Sequence, residues 1–478
     1  MKTLLLNPPS FEKFDGGAGS RWPARREISS FWYPVWLSYP AGLIKESRLL
    51  DAPSHGVTPE ETVRIARDYE FVVIFTSTPG FKNDILLAER IKDTNQGVKI
   101  AFVGPPVSVL PEETLKASTA IDFVARREFD YTIAEYAWGK PIEEIRGVSF
   151  RGNGQVIHNP DRPLLDDLDS LPFAVEIYKR DLDITKYNVP FLQHPFIAFY
   201  TSRGCPAFCT FCLWPQTFGG HKWRCRSSEN VVAEIRRAFE LFPNVREIFF
   251  DDDTFAWGKA RVLELCGKLK PLNFTWSCTC RVHADFEMLK AMKEAGCRLL
   301  IVGFESGDPT ILKNIKKGAT VKQALAFMKH CKELDISVHG DFIIGLPGET
   351  PETIMRTIGF AEELDCETIQ VSIAHPYPGT AFDSYVRRHG YLTDDDMADE
   401  LGHQLPNLQY PGLNREEIVE AVEYFYGRYY FRPRIVFRIL RRALWDHDER
   451  TRLFHEAKEY LQLRAKRKRF SRAKTAAT

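Results

Sequence analysis

Three cysteines stand within eight residues in Thr201-Ser-Arg-Gly-Cys-Pro-Ala-Phe-Cys-Thr-Phe-Cys212, spaced C-x3-C-x2-C. Thiolates are soft ligands that suit iron–sulfur clusters and zinc. A structural zinc takes four ligands, and His221 or Cys225 could complete such a site. The same triplet could instead hold a 4Fe–4S cluster on three irons, leaving the fourth iron open to a further ligand. That arrangement needs a second set of residues. Candidates follow along the chain: Asp251, Asp252 and Asp253 after an apolar run, Arg281 closing Trp276-Ser-Cys-Thr-Cys-Arg281, and Glu305 in Val302-Gly-Phe-Glu-Ser-Gly307. Ile343 to Gly345 and His375-Pro-Tyr-Pro-Gly-Thr380 come after them. Carboxylates suit a cation or sugar hydroxyls, and glycines beside Glu305 allow close backbone approach. Each segment also has a plain alternative: a solvated acidic loop for the aspartates, a structural ion pair for Glu305. Cys278 and Cys280 alternate along a strand, share one side, and are expected in the core.

The elements around these residues set where they can meet. Residues 1–140 alternate short apolar runs (Lys2–Asn7, Arg48–Asp51, Phe71–Ser77, Lys99–Gly104, Ile121–Ala125) with helical stretches such as Thr58–Tyr69 and Asn83–Thr94. That alternation predicts a doubly wound parallel sheet covered on both faces. Its ligand positions are the strand C-termini at Asn7-Pro-Pro-Ser10, Thr76-Ser-Thr-Pro-Gly80 and Gly104-Pro-Pro106. Residues 141–190 read as a small hairpin, with Asn153-Gly154 as its turn, and a linker. Residues 191–400 hold six further strand–helix units, from Phe196–Thr201 to Thr368–Ile373, an incomplete TIM-like barrel. Every candidate segment falls at the end of one of those strands, and zinc has no explanation for that order. Residues 401–478 read as helical and basic. From Arg428 to Thr478 there are 16 Lys and Arg against 5 Asp and Glu, although the whole chain is neutral.

A C-x3-C-x2-C triplet after the first strand of a partial barrel resembles the radical S-adenosylmethionine (SAM) enzymes. The resemblance implies that Cys205, Cys209 and Cys212 hold a 4Fe–4S cluster whose open iron chelates SAM. An electron then cleaves the sulfonium to give a 5′-deoxyadenosyl radical. It implies Asp251–Asp253 at the methionine ammonium, Arg281 among the polar SAM contacts, Glu305 on the ribose, and Ile343 to Gly345 behind the adenine. The doubly wound domain ahead of the barrel is similar to the cobalamin-binding-domain subclass, over roughly residues 1–400. The D-x-H-x-x-G motif is missing, since Asp51-Ala-Pro-Ser-His-Gly56 places His55 four residues on. Cobalamin is therefore an open expectation without residue-level support.

Phe14-Asp-Gly-Gly-Ala-Gly-Ser-Arg21 and Arg25-Arg-Glu-Ile-Ser-Ser-Phe-Trp-Tyr33 resemble the hopanoid-biosynthesis branch, the bacteriohopanetetrol cyclitol ether synthases. That resemblance implies a glycosylated hopanoid substrate, contraction of its glucosamine ring to a cyclitol, and an external flavodoxin- or ferredoxin-like electron donor. Arg21, Arg25 and Arg26 could shape a polar substrate pocket or belong to a surface arm. The alternatives on the same fold are a cobalamin-dependent C-methyltransferase and an oxidative cyclase. The N-terminus, MKTLLLNPPS, is too short for a signal segment, and no apolar run is long enough to span a bilayer. The expectation is a cytoplasmic protein without a disulfide framework. In Pro433–Trp445, Arg434, Arg438, Arg441 and Arg442 share one helical face. Such a helix suits peripheral contact with an anionic inner membrane surface, or packs on the barrel with solvated arginines. The basic tail comes with no nucleic-acid recognition module.

Overall fold

The computed structural model describes residues 1–11, 30–394, 397 and 405–445. Arg21, Arg25, Arg26 and the tail 446–478 lie outside the described residues.

The first sheet is built from strands β1 (Thr3–Asn7), β2 (Ser47–Asp51), β3 (Phe71–Phe75), β4 (Lys99–Val103), β5 (Phe123–Ala125), β6 (Val148–Gly152) and β7 (Gln155–His158). Their order is β2-β1-β3-β4-β5-β6-β7, with the first five parallel. Successive side chains of a strand point to opposite faces. Leu5, Val73, Phe75 and Val103 accordingly pack one side with the helices Val35–Leu43 and Asp130–Ala137. Leu4, Leu6, Val72, Ile74 and Phe102 pack the other with Pro59–Ala66 and Phe81–Thr94. The hairpin does not stand apart with the linker. It extends this sheet, β6 pairing antiparallel with β5. Its turn works as the residues demand, with Asn153 and Gly154 both at positive φ (51° and 77°).

The second sheet is wholly parallel, in the order β15-β14-β13-β12-β11-β8. Its strands are β8 (Phe196–Phe199), β11 (Glu247–Phe250), β12 (Trp276–Cys280), β13 (Cys297–Glu305), β14 (Ser337–Ile344) and β15 (Thr368–Ile373). A two-residue ribbon, β9 (Ser202–Arg203) against β10 (Arg224–Cys225), follows β8. The intervening helices start at side-chain caps legible in the sequence: Ser227, Asp285, and capping boxes at Thr320 and Thr350. Open sheet edges invite mispairing, and here tyrosines cover them. The Tyr33 and Tyr178 hydroxyls donate to Phe196 and Ala198 carbonyls of β8 (2.7 and 2.8 Å). On β15, the N–H groups of Ile369 and Val371 donate to Tyr430 and Tyr426 of the helix Arg415–Tyr430 (both 2.9 Å).

The helix Pro433–Trp445 packs on the barrel, where Arg438 is partly buried while Arg434 stays largely in solvent. Arg434 and Arg438 approach Asp365 (3.2 and 3.6 Å), and Arg438 also pairs with Glu367. Val436, Phe437 (69% exposed) and Leu440 face outward instead. Among the described residues no helix is long and apolar enough to cross a membrane.

Candidate active site

Cys205, Cys209 and Cys212 occupy the loop that leaves the β9 edge of the barrel, and Cys205 and Cys209 are buried. Burial pushes the Cys205 and Cys212 thiols up, Cys212 further through Cys209 beside it. Thiolate coordination has to displace those protons. Among the described residues no three His, Cys, Asp or Glu groups converge tightly enough for a single metal ion. Neither candidate fourth zinc ligand converges on the triplet among the described residues. His221 Nδ1 lies 3.2 Å from the Cys205 carbonyl and its ring stacks on Phe208, while Cys225 pairs in register with Ser202. Three thiols with no fourth ligand converging on them among the described residues suit a cluster that keeps one iron open. Arg281 adds a donor at that place: its guanidinium comes within 3.7 Å of Cys209 Sγ, and its buried Nε has no partner.

The three aspartates after β11 do three different things. Asp251 is half-buried and, among the described residues, its carboxylate accepts no hydrogen bond. Desolvation first, then Asp252 and Asp253, raise its pKa. Asp252 is not available to a ligand, contrary to the sequence expectation. Its two oxygens accept from Thr201 N and Oγ1 (both 2.6 Å) and Ser202 N and Oγ (3.1 and 2.8 Å), tying down the chain that enters the cysteine loop. Asp253 reaches solvent, yet the protein around it strips enough water to push its carboxyl up to about 6, against the Gly204 N–H at 2.9 Å.

Glu305 ends β13 at φ +64°, a left-handed conformation that non-glycine residues rarely adopt and that is worth asking a function of. Its carboxylate meets the buried Lys317 ammonium at 2.6 Å. Lys317 stands twelve residues downstream, and nothing in the sequence singles it out. A Cβ at Gly303 would collide with this pair, so the glycine is what lets the pair lie over the strand. Ile343 faces the lumen, half-buried. Gly345 (φ +94°) has both backbone groups engaged: its N–H donates to Glu349 and its carbonyl accepts from Tyr410 (2.9 Å). The Gly345 N–H is therefore taken, while its carbonyl keeps a second lone pair for a ligand.

Glu349 holds that turn, also accepting from Leu346 N at 3.2 Å, while its Oε1 is buried without a partner. Burial pushes its carboxyl from 4.5 up to about 8, opposed by the two N–H groups. A raised carboxyl favours the fold while neutral, so this contribution is full below the ordinary glutamate range and gone once pH passes about 8. Thermal melts from about pH 5 to about pH 9 should show Glu349→Gln losing less stability across that window than the parent chain. Identical slopes would refute the assignment.

The strand ends of the first sheet face this mouth. The helix Pro105–Val109, just after β4, packs on Leu213–Thr217, just after Cys212. The turn Pro376–Thr380 closes on the same spot, where a Cβ at Gly379 would meet Val109. The sheet's switch point lies between β1 and β3. Beside it, at the ends of β3 and β4, Gly104 (φ +123°) presses against the Thr76 carbonyl, and Thr78 Oγ1 is buried without a partner among the described residues. A polar cofactor fits that crevice. His55 cannot serve as a ligand to it: Nε2 accepts from Asp183 N (3.0 Å), which leaves Nδ1 as the protonated nitrogen, 3.0 Å from the Asp51 carbonyl.

Comparison with known proteins bears on both halves. The model of the radical SAM superfamily matches residues 199–361, and that of the B12 binding domain matches residues 21–137. An uncharacterized methyltransferase of Pyrococcus horikoshii is 31% identical over 448 residues, covering 91% of this chain and 94% of the relative. The hopanoid C-2 methylase of Rhodopseudomonas palustris is 27% identical over 446 residues, covering 88% and 77%. In fold, the chain is similar to the cobalamin-dependent SAM radical enzyme OxsB, solved with aqua-cobalamin and SAM (TM-score 0.70, 17% identity, 96% of this chain and 72% of that one). The cofactor set expected from the cysteines and the doubly wound domain is thus the set of this family: a 4Fe–4S cluster, SAM and cobalamin. With a B12-binding sheet turned toward a cysteine loop at the mouth of a six-stranded barrel, and a full-length relative at 31% identity, the chain belongs to the radical SAM superfamily, in its cobalamin-dependent branch.

Proposed function

We propose that the protein is a cobalamin-dependent radical SAM methyltransferase that alkylates a carbon of a hopanoid or similar lipid. The observation that carries this reading is the meeting of two ligand-bearing ends: Pro105–Val109, at the C-terminal end of β4 in the first sheet, packs on Leu213–Thr217, directly after the cysteine loop. The names of two relatives, a methyltransferase and a hopanoid methylase, support the reaction and the substrate class. When bound, the cluster supplies an electron for reductive SAM cleavage and cobalamin supplies methyl transfer. The chain's own part is positioning. Cys205, Cys209 and Cys212 ligate the cluster, and Arg281 donates toward its sulfur. Asp251 and Asp253 receive the methionine ammonium of SAM. Glu305, fixed by Lys317, receives the ribose hydroxyls, and Ile343 backs the adenine. Asp252, Glu349 and Tyr410 hold these groups still without touching SAM. The electron comes from an external flavodoxin- or ferredoxin-like donor.

Contraction of a hopanoid glucosamine ring is a second reading. It is favoured by polar side chains inside the barrel, Asp341, Gln370 and Ser372, which suit a sugar better than a hydrocarbon. Product mass separates the two. Anaerobic incubation with SAM, reductant and a glucosamine-bearing hopanoid should add one methylene per turnover and consume a second SAM as methyl donor. A product with no added carbon, formed without cobalamin, would refute methyl transfer and leave ring contraction.

A further inference from the structure

The outer face of the helix Pro433–Trp445 serves neither the core nor the reaction. With about 3.6 residues per turn, Pro433, Phe437 and Leu440 stack within about 60° of one another. Val436 lies on one flank of that stripe, Arg434 and Arg441 on the other, and Ile435 opposite. The barrel buries Ile435. Val436, Phe437, Leu440 and both arginines are exposed, Leu440 at 56% and the Arg434 side chain at 77%. Single apolar side chains on a surface are ordinary, but three together on one helix face mark a place where something docks.

Charge selects what docks. The arginines flank the stripe where the basic side chains of an interfacial helix reach lipid phosphates. Beyond the described residues, the sequence from Arg464 to Lys474 carries seven Lys and Arg and no Asp or Glu. A basic cluster of that size following an amphipathic helix is drawn to an anionic leaflet. A second copy of the chain would set the same arginines and the same tail against each other and be repelled. Nucleic acid would match the charge but offers no apolar surface to Phe437 and Leu440. At 13 residues, or about 20 Å, the helix is too short to span a hydrocarbon core of about 30 Å.

We propose that Val436, Phe437 and Leu440, rimmed by Arg434 and Arg441 and followed by the basic segment 464–474, form a peripheral docking surface for an anionic lipid bilayer. The helix lies in the plane of the head groups, its apolar stripe among the upper acyl chains. Arg438 fixes it there by donating to the Cys366 carbonyl at 2.9 Å, two residues before β15 begins. The strands of the second sheet run parallel toward the cysteine loop, so this is the opposite end of the barrel. A docked bilayer leaves the mouth uncovered, and docking is independent of the chemistry there.

The test is flotation of the anaerobically reconstituted full-length chain with vesicles of phosphatidylcholine, alone or with about one third phosphatidylglycerol. The chain should float with the anionic vesicles and not with the neutral ones. Raising salt from about 0.1 M to about 0.5 M should weaken binding. Phe437→Glu combined with Leu440→Glu should weaken it about tenfold or more, with circular dichroism and 5′-deoxyadenosine release at parent values. Phe437→Leu, which keeps the stripe apolar, should retain it. No flotation of the parent chain, equal flotation with both vesicles, or unchanged binding in the double variant would overturn the proposal. Binding lost only on removal of residues 464–478 would also overturn it, since the tail would then bind alone, as it would any polyanion. So would a parent dimer that the double variant dissolves, because a second copy would then cover the stripe.

Discussion

Cys209→Ala abolishes reductive cleavage of SAM while the chain stays folded. Cys209 is the middle of the three thiols, 4% exposed, with the Arg281 guanidinium beside it. Three protein thiolates are the fewest that can hold a cubane and keep one iron open, so losing one removes the holder rather than weakening it. Activity should fall below detection, not by a fixed factor. Stability changes little, because Cys→Ala deletes one buried atom at a cost of about 1 kcal/mol, and neither sheet runs through the loop. The measurement is 5′-deoxyadenosine formed anaerobically with SAM and dithionite, beside iron, sulfide and circular dichroism. Retained 5′-deoxyadenosine would sink the cluster assignment. Loss of folded signal would mean that the loop is structural.

The residues that were legible in the sequence are those whose chemistry is local. Apolar runs such as Phe71–Phe75 alternate with helical stretches, and that alternation alone gives parallel strands buried on both faces. The cysteine triplet and Glu305 were legible by spacing and by strand-end position. What stayed hidden depends on who sits across the gap. Asp251, Asp252 and Asp253 are three equal letters, and only the fold gives Asp252 four donors from Thr201 and Ser202 and leaves Asp251 with none among the described residues. Lys317 can meet Glu305 only because Gly303 carries no side chain where the pair lies. Arg438 of Pro433–Trp445 leans onto the barrel because Asp365 and Glu367 wait there, a fact about another part of the chain.

The largest effect on stability is expected away from the ligands, where the two sheets are clamped together. Arg203, two residues before Cys205 and 2% exposed, grips Asp130 with two hydrogen bonds of 2.7 and 3.0 Å. Its guanidinium lies over Trp36 at 4.2 Å and Tyr39 at 4.8 Å, both from the first domain. Beside it across the β9–β10 ribbon, Arg224 grips Glu128 in the same bidentate way (2.9 and 2.7 Å). Burial works against the Arg203 charge, but Asp130 and then Glu128 outweigh it and hold the guanidinium above its usual range. Asp130→Ala therefore strands a buried cation, which costs about 3–5 kcal/mol. Denaturant unfolding should show that loss, and Asp130→Ala combined with Arg203→Met should recover most of it, because the stranded charge is gone. A loss under about 1 kcal/mol would mean the pair is hydrated and the clamp illusory. The clamp also has a functional signature. It sets the B12-binding face against the cysteine loop, so loosening it should spare SAM cleavage, which needs only the barrel, and depress transfer to substrate, which needs both faces. The ratio of 5′-deoxyadenosine to product should rise in Asp130→Ala. An unchanged ratio would show that the buried arginines stabilise the joint without aiming it.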